Sequence, residues 1–419
     1  MASCPRANAP LPPKKYSVMG LLNDIENELA TLPQMQSTAT SRKQYVIGVP
    51  HESAECETRV GLTPQAVSIL TEGGHRVLVA QGAGVNAGFS DLDYSEAGAE
   101  VVDAGRALQA DIIFKVQALN ADEIALLKPK AVVFSALTLK YHDSNYFRAL
   151  QDSKITAVGY EFMADRYGHH NFLRAMNGIS GNVGFMVAAE YLSNRLYGNG
   201  SMLGSVAGIP PTEVVILGAG RSAESATKMF MAAGANVKIF DNSISRLNEI
   251  RQRLQQPVYT SVIYPELLKK AIAEADVLIA AFHNNEPDSQ PIVTESMVAS
   301  MKQGSIIIDI SIDMRNTIET SHATTISDPV FLKHGVLHYC VPNMPARVPK
   351  TASMAISNLL VPILVRIADG ADTGTLMAEN EELQHGVYCF SGILTNQTVA
   401  SYVGLVAKDL QILLKLPLS

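Results

Sequence analysis

Two glycines, an alanine and an aspartate carry the clearest chemistry in the chain. Gly218, Gly220 and Ala223 form a G-x-G-x-x-A pattern directly after the apolar run Val214 to Leu217, and Asp241 closes a second apolar run, Val237 to Phe240. Glycines at a strand end let the backbone turn sharply and approach a diphosphate, while the helix that starts there offers free N–H groups and the positive end of its dipole. A carboxylate about twenty residues further on, at the end of the next strand, accepts hydrogen bonds from the adenosine ribose hydroxyls. Ala223 replaces the third glycine, a change that the motif tolerates. Strand, turn, helix and terminal carboxylate together read as a dinucleotide site. Asp241 favours NAD, because a carboxylate repels a 2′-phosphate, and Arg246 is the nearby residue able to reverse that preference.

Other side chains at strand ends are candidates for the substrate. Arg59, in ETRVGLTP between the first strand and a helix, is either a bidentate grip for a carboxylate or a surface arginine. Lys115 interrupts the apolar strand DIIFKV, and an ammonium in a buried strand needs a partner or a task. SIIIDISIDMRN sets Asp309 and Asp313 at the end of an apolar strand, where acidic residues line a cleft or bond to neighbouring backbone. His283, His322, His334 and His338 fall in no metal-ligand spacing, and no G-x-S-x-G nucleophile motif occurs. No metal is expected.

The elements that position these residues alternate. From Tyr45, strands VIGVP, HRVLVA, DIIFKV, AVVFSAL and ITAVGYEF are separated by helices near Pro64 to Glu72 and Ser90 to Ala97. After a long helix from Asn171 to Arg195 come the dinucleotide unit and strands VYTSVI, DVLIAAF, SIIIDIS and VLHYCV. Such alternation predicts an α/β protein of two doubly wound parallel-sheet domains joined by long helices, the second a Rossmann domain. The expected limits are 1–44 for an N-terminal extension with a short helix from Tyr16 to Leu32, 45–172 with 341–419 for a discontinuous substrate domain, and 173–340 for the NAD domain. The apolar helix Gly181 to Leu192 is a candidate subunit interface or a core element.

Composition narrows the class. At 419 residues, 47% hydrophobic and 17% charged, the chain is long enough for two cores and reads as compact and soluble. A net charge of −7 with no basic run argues against nucleic acid and acidic membrane. No apolar run approaches the ~20 residues of a membrane span, and MASCPRANAPLPPKK lacks a secretory core, so a cytoplasmic location is expected. Cys4, Cys56, Cys340 and Cys389 are widely spaced, as free thiols are.

With these residues in place, the chain resembles the alanine dehydrogenase family, which shares its fold with the NAD-binding part of proton-translocating transhydrogenase. The likeness rests on VIGVPHESAECETRVGLTPQAV, GAGVNAGFSDLDYSEAGAEVV, DIIFKV, PPTEVVILGAG, GSIIIDISID, VPNMPARVPKTAS and GILTNQTVASYVGL, in that order from about Tyr45 to Leu405. The resemblance implies NAD-dependent, reversible deamination of a small L-amino acid to a 2-keto acid and ammonium, by a homo-oligomer, a hexamer before a dimer. Arg59 and Lys115 would hold the substrate carboxylate, Asp313 would act on water and amine, and Asn177 and Asn343 would meet the cofactor. The family's catalytic histidine corresponds to Thr138, its Met-Ser-Glu to Met176-Asn177-Gly178, and its Gly-Gly after the aspartate to Arg315-Asn316, while Arg347 stands where small residues are usual. A threonine does not titrate near neutrality, so proton transfer would fall to Asp313, alone or through a water shared with Thr138. A catalytically silent dinucleotide-binding paralogue and a transhydrogenase component are the alternatives.

Overall fold

The computed structural model describes residues 43–54, 56–282, 290–313 and 317–415. The expected helix from Tyr16 to Leu32, together with Cys4, His283, Met314, Arg315 and Asn316, lies outside the described residues. Strands in chain order are β1 (Val46–Val49), β2 (Arg76–Ala80), β3 (Glu100–Val102), β4 (Ile112–Gln117), β5 (Val132–Ala136), β6 (Thr156–Gly159), β7 (Glu213–Leu217), β8 (Asn236–Phe240), β9 (Tyr259–Ser261), β10 (Val277–Ala280), β11 (Ile306–Asp309), β12 (Val330–Lys333), β13 (Val336–Tyr339), β14 (Val387–Phe390) and β15 (Ile393–Leu394).

Among the described residues they form two sheets. One has the order β15-β14-β6-β5-β4-β1-β2-β3 and the other β12-β13-β11-β10-β7-β8-β9. Pairing is parallel throughout the interior, as continuous apolar strands covered on both faces require, and antiparallel only where β14, β15 and β12 close an edge. In each sheet the strand order reverses about a central pair, β1/β4 in one and β7/β10 in the other, which opens a crevice at the carboxyl ends of the strands.

Four helices matter for the site: α1 (Pro64–Glu72), α2 (Asn171–Ser193), α3 (Arg221–Ala232) and α4 (Pro349–Ala368). Helix α2 lies against α3 at such close range that a side chain at Gly181 would meet the Ser222 carbonyl at 2.1 Å. Val183, Val187, Ala188 and Leu192 of this segment belong to the second sheet's core, so its apolar face is interior. Helix α4 corrects an expectation. It has 20 residues and a mean hydropathy of 1.6, long and apolar enough by composition to cross a bilayer. Ala352, Ile356, Leu360, Ile363, Leu364 and Ile367 are nevertheless packed in the first sheet's core. Its Ser353 and Ser357 hydroxyls accept the backbone N–H groups of Val60 and Thr63 at 3.0 and 2.9 Å, pinning the loop that carries Arg59.

Candidate active site

A cleft of about 510 Å³ is lined by Arg59, Thr138, Met176 and Asn343 together with Gly220, Asp241 and Asp313. On its second-sheet side, β7 ends in Gly218, whose φ of 99° is open to glycine and whose added Cβ would sit 2.3 Å from the Ala281 carbonyl. A Cβ on Gly220 would point into open space at the cleft, so the backbone there is free to meet a ligand at van der Waals range. Gly220 caps α3, and Gly220, Arg221 and Ser222 line the cleft at the amino end of that helix. Ala223 is fully buried in the core beneath. The Asp241 carboxylate, also buried, accepts the Ala219 N–H at 2.8 Å and the Ser243 N–H at 2.7 Å, which ties the end of β8 to the glycine turn. Helix end, open glycine and fixed carboxylate suit a dinucleotide. Asn177, on α2, and the exposed Arg246 line the same cleft.

On the first-sheet side the organiser is Glu57, which sequence reasoning did not single out. Its carboxylate takes Arg59 Nε at 2.7 Å and Nη2 at 2.6 Å, and also accepts Gln117 Nε2 and Asn343 Nδ2, each at 3.0 Å. Burial pushes its pKa up, but the Arg59 guanidinium and these hydrogen bonds outweigh it, and the net direction is down. Arg59 is therefore held in a buried fork, only 6% exposed, with Nη1 turned to Met176 Sδ at 3.4 Å and toward the cleft. Asn343, expected beside the cofactor, lines the cleft and braces this fork.

Lys115 does not reach the cleft. It is 0% exposed, and its Nζ lies 3.2 Å from Glu52 and 3.5 Å from Glu123, with Ser53 Oγ at 3.3 Å. Alternation along β4 puts Ile112 and Phe114 in the core cluster shared with Met176 and Ile113 in the opposite one. The helix carrying Glu123 contributes Ile124 to that opposite cluster. A bulge between Phe114 and Gln117 then shifts the register by one residue, so Gln117 is the β4 side chain that meets the Arg59 fork. The lysine of DIIFKV is a buried ion-pair centre on the Ile113 face of β4, and the expectation that it grips substrate is overturned by that placement.

Asp313 lines the cleft from the loop after β11 and is bonded across it to Lys140 and Tyr141. Asp309 is elsewhere: it is fully buried, its Oδ1 accepts the Ser311 N–H and Oγ, and among the described residues its Oδ2 has no hydrogen-bond partner. Burial pushes its pKa up to about 6. The folded state thus holds a proton that the unfolded chain releases near 3.8. Stability falls as pH rises through that window, and the cost is complete above it. At about 1.4 kcal/mol per unit, Asp309→Asn is expected to stabilise the protein by about 2–3 kcal/mol at pH 7.5 and by little near pH 4. Urea unfolding at the two pH values decides it, and equal stability at pH 7.5 would contradict it. Arg347 is not on the cleft but pairs with Glu190 and packs over the Tyr339 ring.

Known proteins resemble this chain over most of its length. The model for the alanine dehydrogenase/PNT N-terminal domain matches residues 48–180 and that for the C-terminal domain residues 184–397. Alanine dehydrogenase of Bacillus subtilis (strain 168) is 36% identical over 361 residues, covering 86% of this chain and 95% of its own length. Alanine dehydrogenase 2 of Staphylococcus aureus (strain Mu50) is 34% identical over 372 residues, covering 88% and 100%. A solved L-alanine dehydrogenase superposes with a TM-score of 0.78 at 33% identity, covering 85% of this chain and 98% of that one. The transhydrogenase from Sinorhizobium meliloti, at 24% identity and a TM-score of 0.70 over 84% and 99%, shares the fold. The chain belongs to the alanine dehydrogenase/PNT family and is an oxidoreductase of that family.

Proposed function

We propose that the protein catalyses reversible, NAD-dependent oxidative deamination of a small L-amino acid of the alanine type to a 2-keto acid and ammonium. The observation that carries this reading is the convergence of a guanidinium, a carboxylate and a dinucleotide-shaped helix end on one cleft. When bound, the nicotinamide dinucleotide supplies the hydride acceptor. Arg59 Nη1 takes the substrate carboxylate, and Glu57, itself fixed by Gln117 and Asn343, stops the guanidinium from swinging. A carboxylate held by so fixed a guanidinium presents Cα–H to one face of the cleft, where orientation lowers the barrier. Asp313 accepts the proton from the amine or from water, with the exposed Thr138 hydroxyl able to orient that water. Gly218 to Ala223 cradle the diphosphate, with Asn177 beside them, and Asp241 takes the ribose hydroxyls.

Asp241→Ala is expected to weaken NADH binding by about 10- to 100-fold, the loss of a paired charged hydrogen-bond acceptor, and NADPH binding little. Fluorescence titration of both cofactors measures the split, and equal loss would remove the assignment. The function itself is tested by following NADH oxidation with ammonium and a panel of 2-keto acids, pyruvate among them. A second reading, a silent dinucleotide-binding paralogue, is favoured by one feature: among the described residues the cleft lining holds no lysine and no histidine. Turnover with any keto acid removes it, and silence across the panel removes the first. A cytoplasmic homo-oligomer belongs to the same proposal, and light scattering reads its assembly.

A further inference from the structure

The chain leaves β5 in an unusual way. Thr138 adopts φ 48° and ψ 64°, the left-handed region that a β-branched residue avoids. Such strain persists where the surroundings over-determine it, and here the Glu161 carboxylate clamps two successive N–H groups, Leu137 at 3.1 Å and Thr138 at 2.8 Å. The clamped bend leads into the short 3₁₀ turn Leu139–Tyr141, which throws Lys140 and Tyr141 across the cleft. Both land on Asp313. Lys140 Nζ reaches the Asp313 backbone carbonyl and, at 3.3 Å, Oδ1, while Tyr141 Oη donates to the same Oδ1 at 3.0 Å.

We infer that Lys140 and Tyr141 are the positioning pair for Asp313, fixing its carboxylate at the cleft from the opposite sheet. The inference rests on the reading of Asp313 as the proton-transfer group. Among the described residues neither contact uses Oδ2, which leaves that oxygen for substrate or water. Burial and then the Asp313 charge push the Tyr141 pKa up, so its hydroxyl stays protonated and remains a donor. The ammonium lies 4.8 Å from the Tyr141 ring centroid, which pre-orders the two side chains. Stability does not explain the arrangement. Lys140 and Asp313 are 36% and 30% exposed in their side chains, and pairs so wetted contribute little to folding. What the contact fixes is geometry: it is made between a turn of one sheet and a loop of the other. Lys140 thus brings a cation to Asp313 from two residues beyond Thr138 without itself lining the cleft.

The test uses the full chain and Lys140→Met, Lys140→Arg and Tyr141→Phe, with the substrate found by the keto-acid panel. Lys140→Met is expected to lower kcat about 10- to 100-fold, the range of a misplaced proton-transfer group, with both KM values within about 2-fold, and Lys140→Arg to recover most of that loss. A kcat for Lys140→Met equal to wild type overturns the inference. A second measurement needs no turnover: acetylation of Lys140 by acetic anhydride, read by peptide mass spectrometry in wild type and Asp313→Asn. The pairing predicts slow acetylation in wild type and several-fold faster acetylation in the variant, with Lys128, paired with Asp111 at the other end of β5, unchanged as the internal standard. Equal rates overturn it. An inactive wild type with a protected Lys140 would sink the proposed reaction while sustaining the pair.

Discussion

Lys115→Met is expected to destabilise the protein by about 3–5 kcal/mol, the range for removing one partner of a buried ion pair. The ammonium stands between Glu52 and Glu123, whose side chains are 3% and 12% exposed. Burial already pushes the Glu52 pKa up, and Lys115 is the first opposing influence. Without it, the Glu52 carboxylate keeps, among the described residues, the Val116 and Gln117 N–H groups as partners, at 2.6 and 3.2 Å. Urea unfolding at pH 7.5 measures the loss, and adding Glu52→Gln should return part of it by removing the orphaned charge. A stable Lys115→Met that lost only turnover would reinstate the lysine as a substrate ligand.

Asp313→Asn is expected to lower turnover by about 10²- to 10⁴-fold, the usual contribution of a positioned acid–base group. Folding and NADH affinity should be unchanged, because the side chain is part-exposed and an amide oxygen can still accept from Tyr141. Single-turnover kinetics with pre-bound NADH separates chemistry from binding. Retained turnover within a few-fold would move proton transfer to another group, and weakened NADH binding would mean that the loop after β11 belongs to the cofactor.

The sheets were legible because their interior strands are continuous apolar runs, and the dinucleotide unit because all of its parts lie within one strand-turn-helix-strand stretch. Of the short edge strands only β9, within VYTSVI, was. Glu100–Val102 and Val330–Lys333 are partly exposed and only three and four residues long, and Val387–Phe390 declares itself only by pairing with β6, far back in the sequence. The candidate site divides in the same way. Asp241 is placed by its own strand, and Arg59 by a loop whose ends α4 holds. Lys115 faces away from the cleft by plain alternation, and the bulge that turns Gln117 toward it leaves no mark in DIIFKVQ, so Lys115 drew the inference that fits Gln117 better. Glu57, two residues before Arg59, was visible as a carboxylate near a cation but not as the hub of three side chains. Lys140 and Tyr141 meet Asp313 only because two sheets face each other, a relation no local pattern encodes.

The order of strands along the chain sets an order of completion during synthesis. Strands β7 to β13 follow one another without interruption from Glu213 to Tyr339, so every strand of their sheet has been synthesised before Val387, which opens the other sheet's closing strand, is made. The first sheet must wait. Until Val387 arrives, β6 stands as a raw edge with its N–H and C=O groups unpaired on one side, the kind of edge on which nascent chains pair wrongly. Chaperone dependence and aggregation of truncated chains should therefore track the exposure of β6 rather than the state of the dinucleotide half, which is finished early and in one piece.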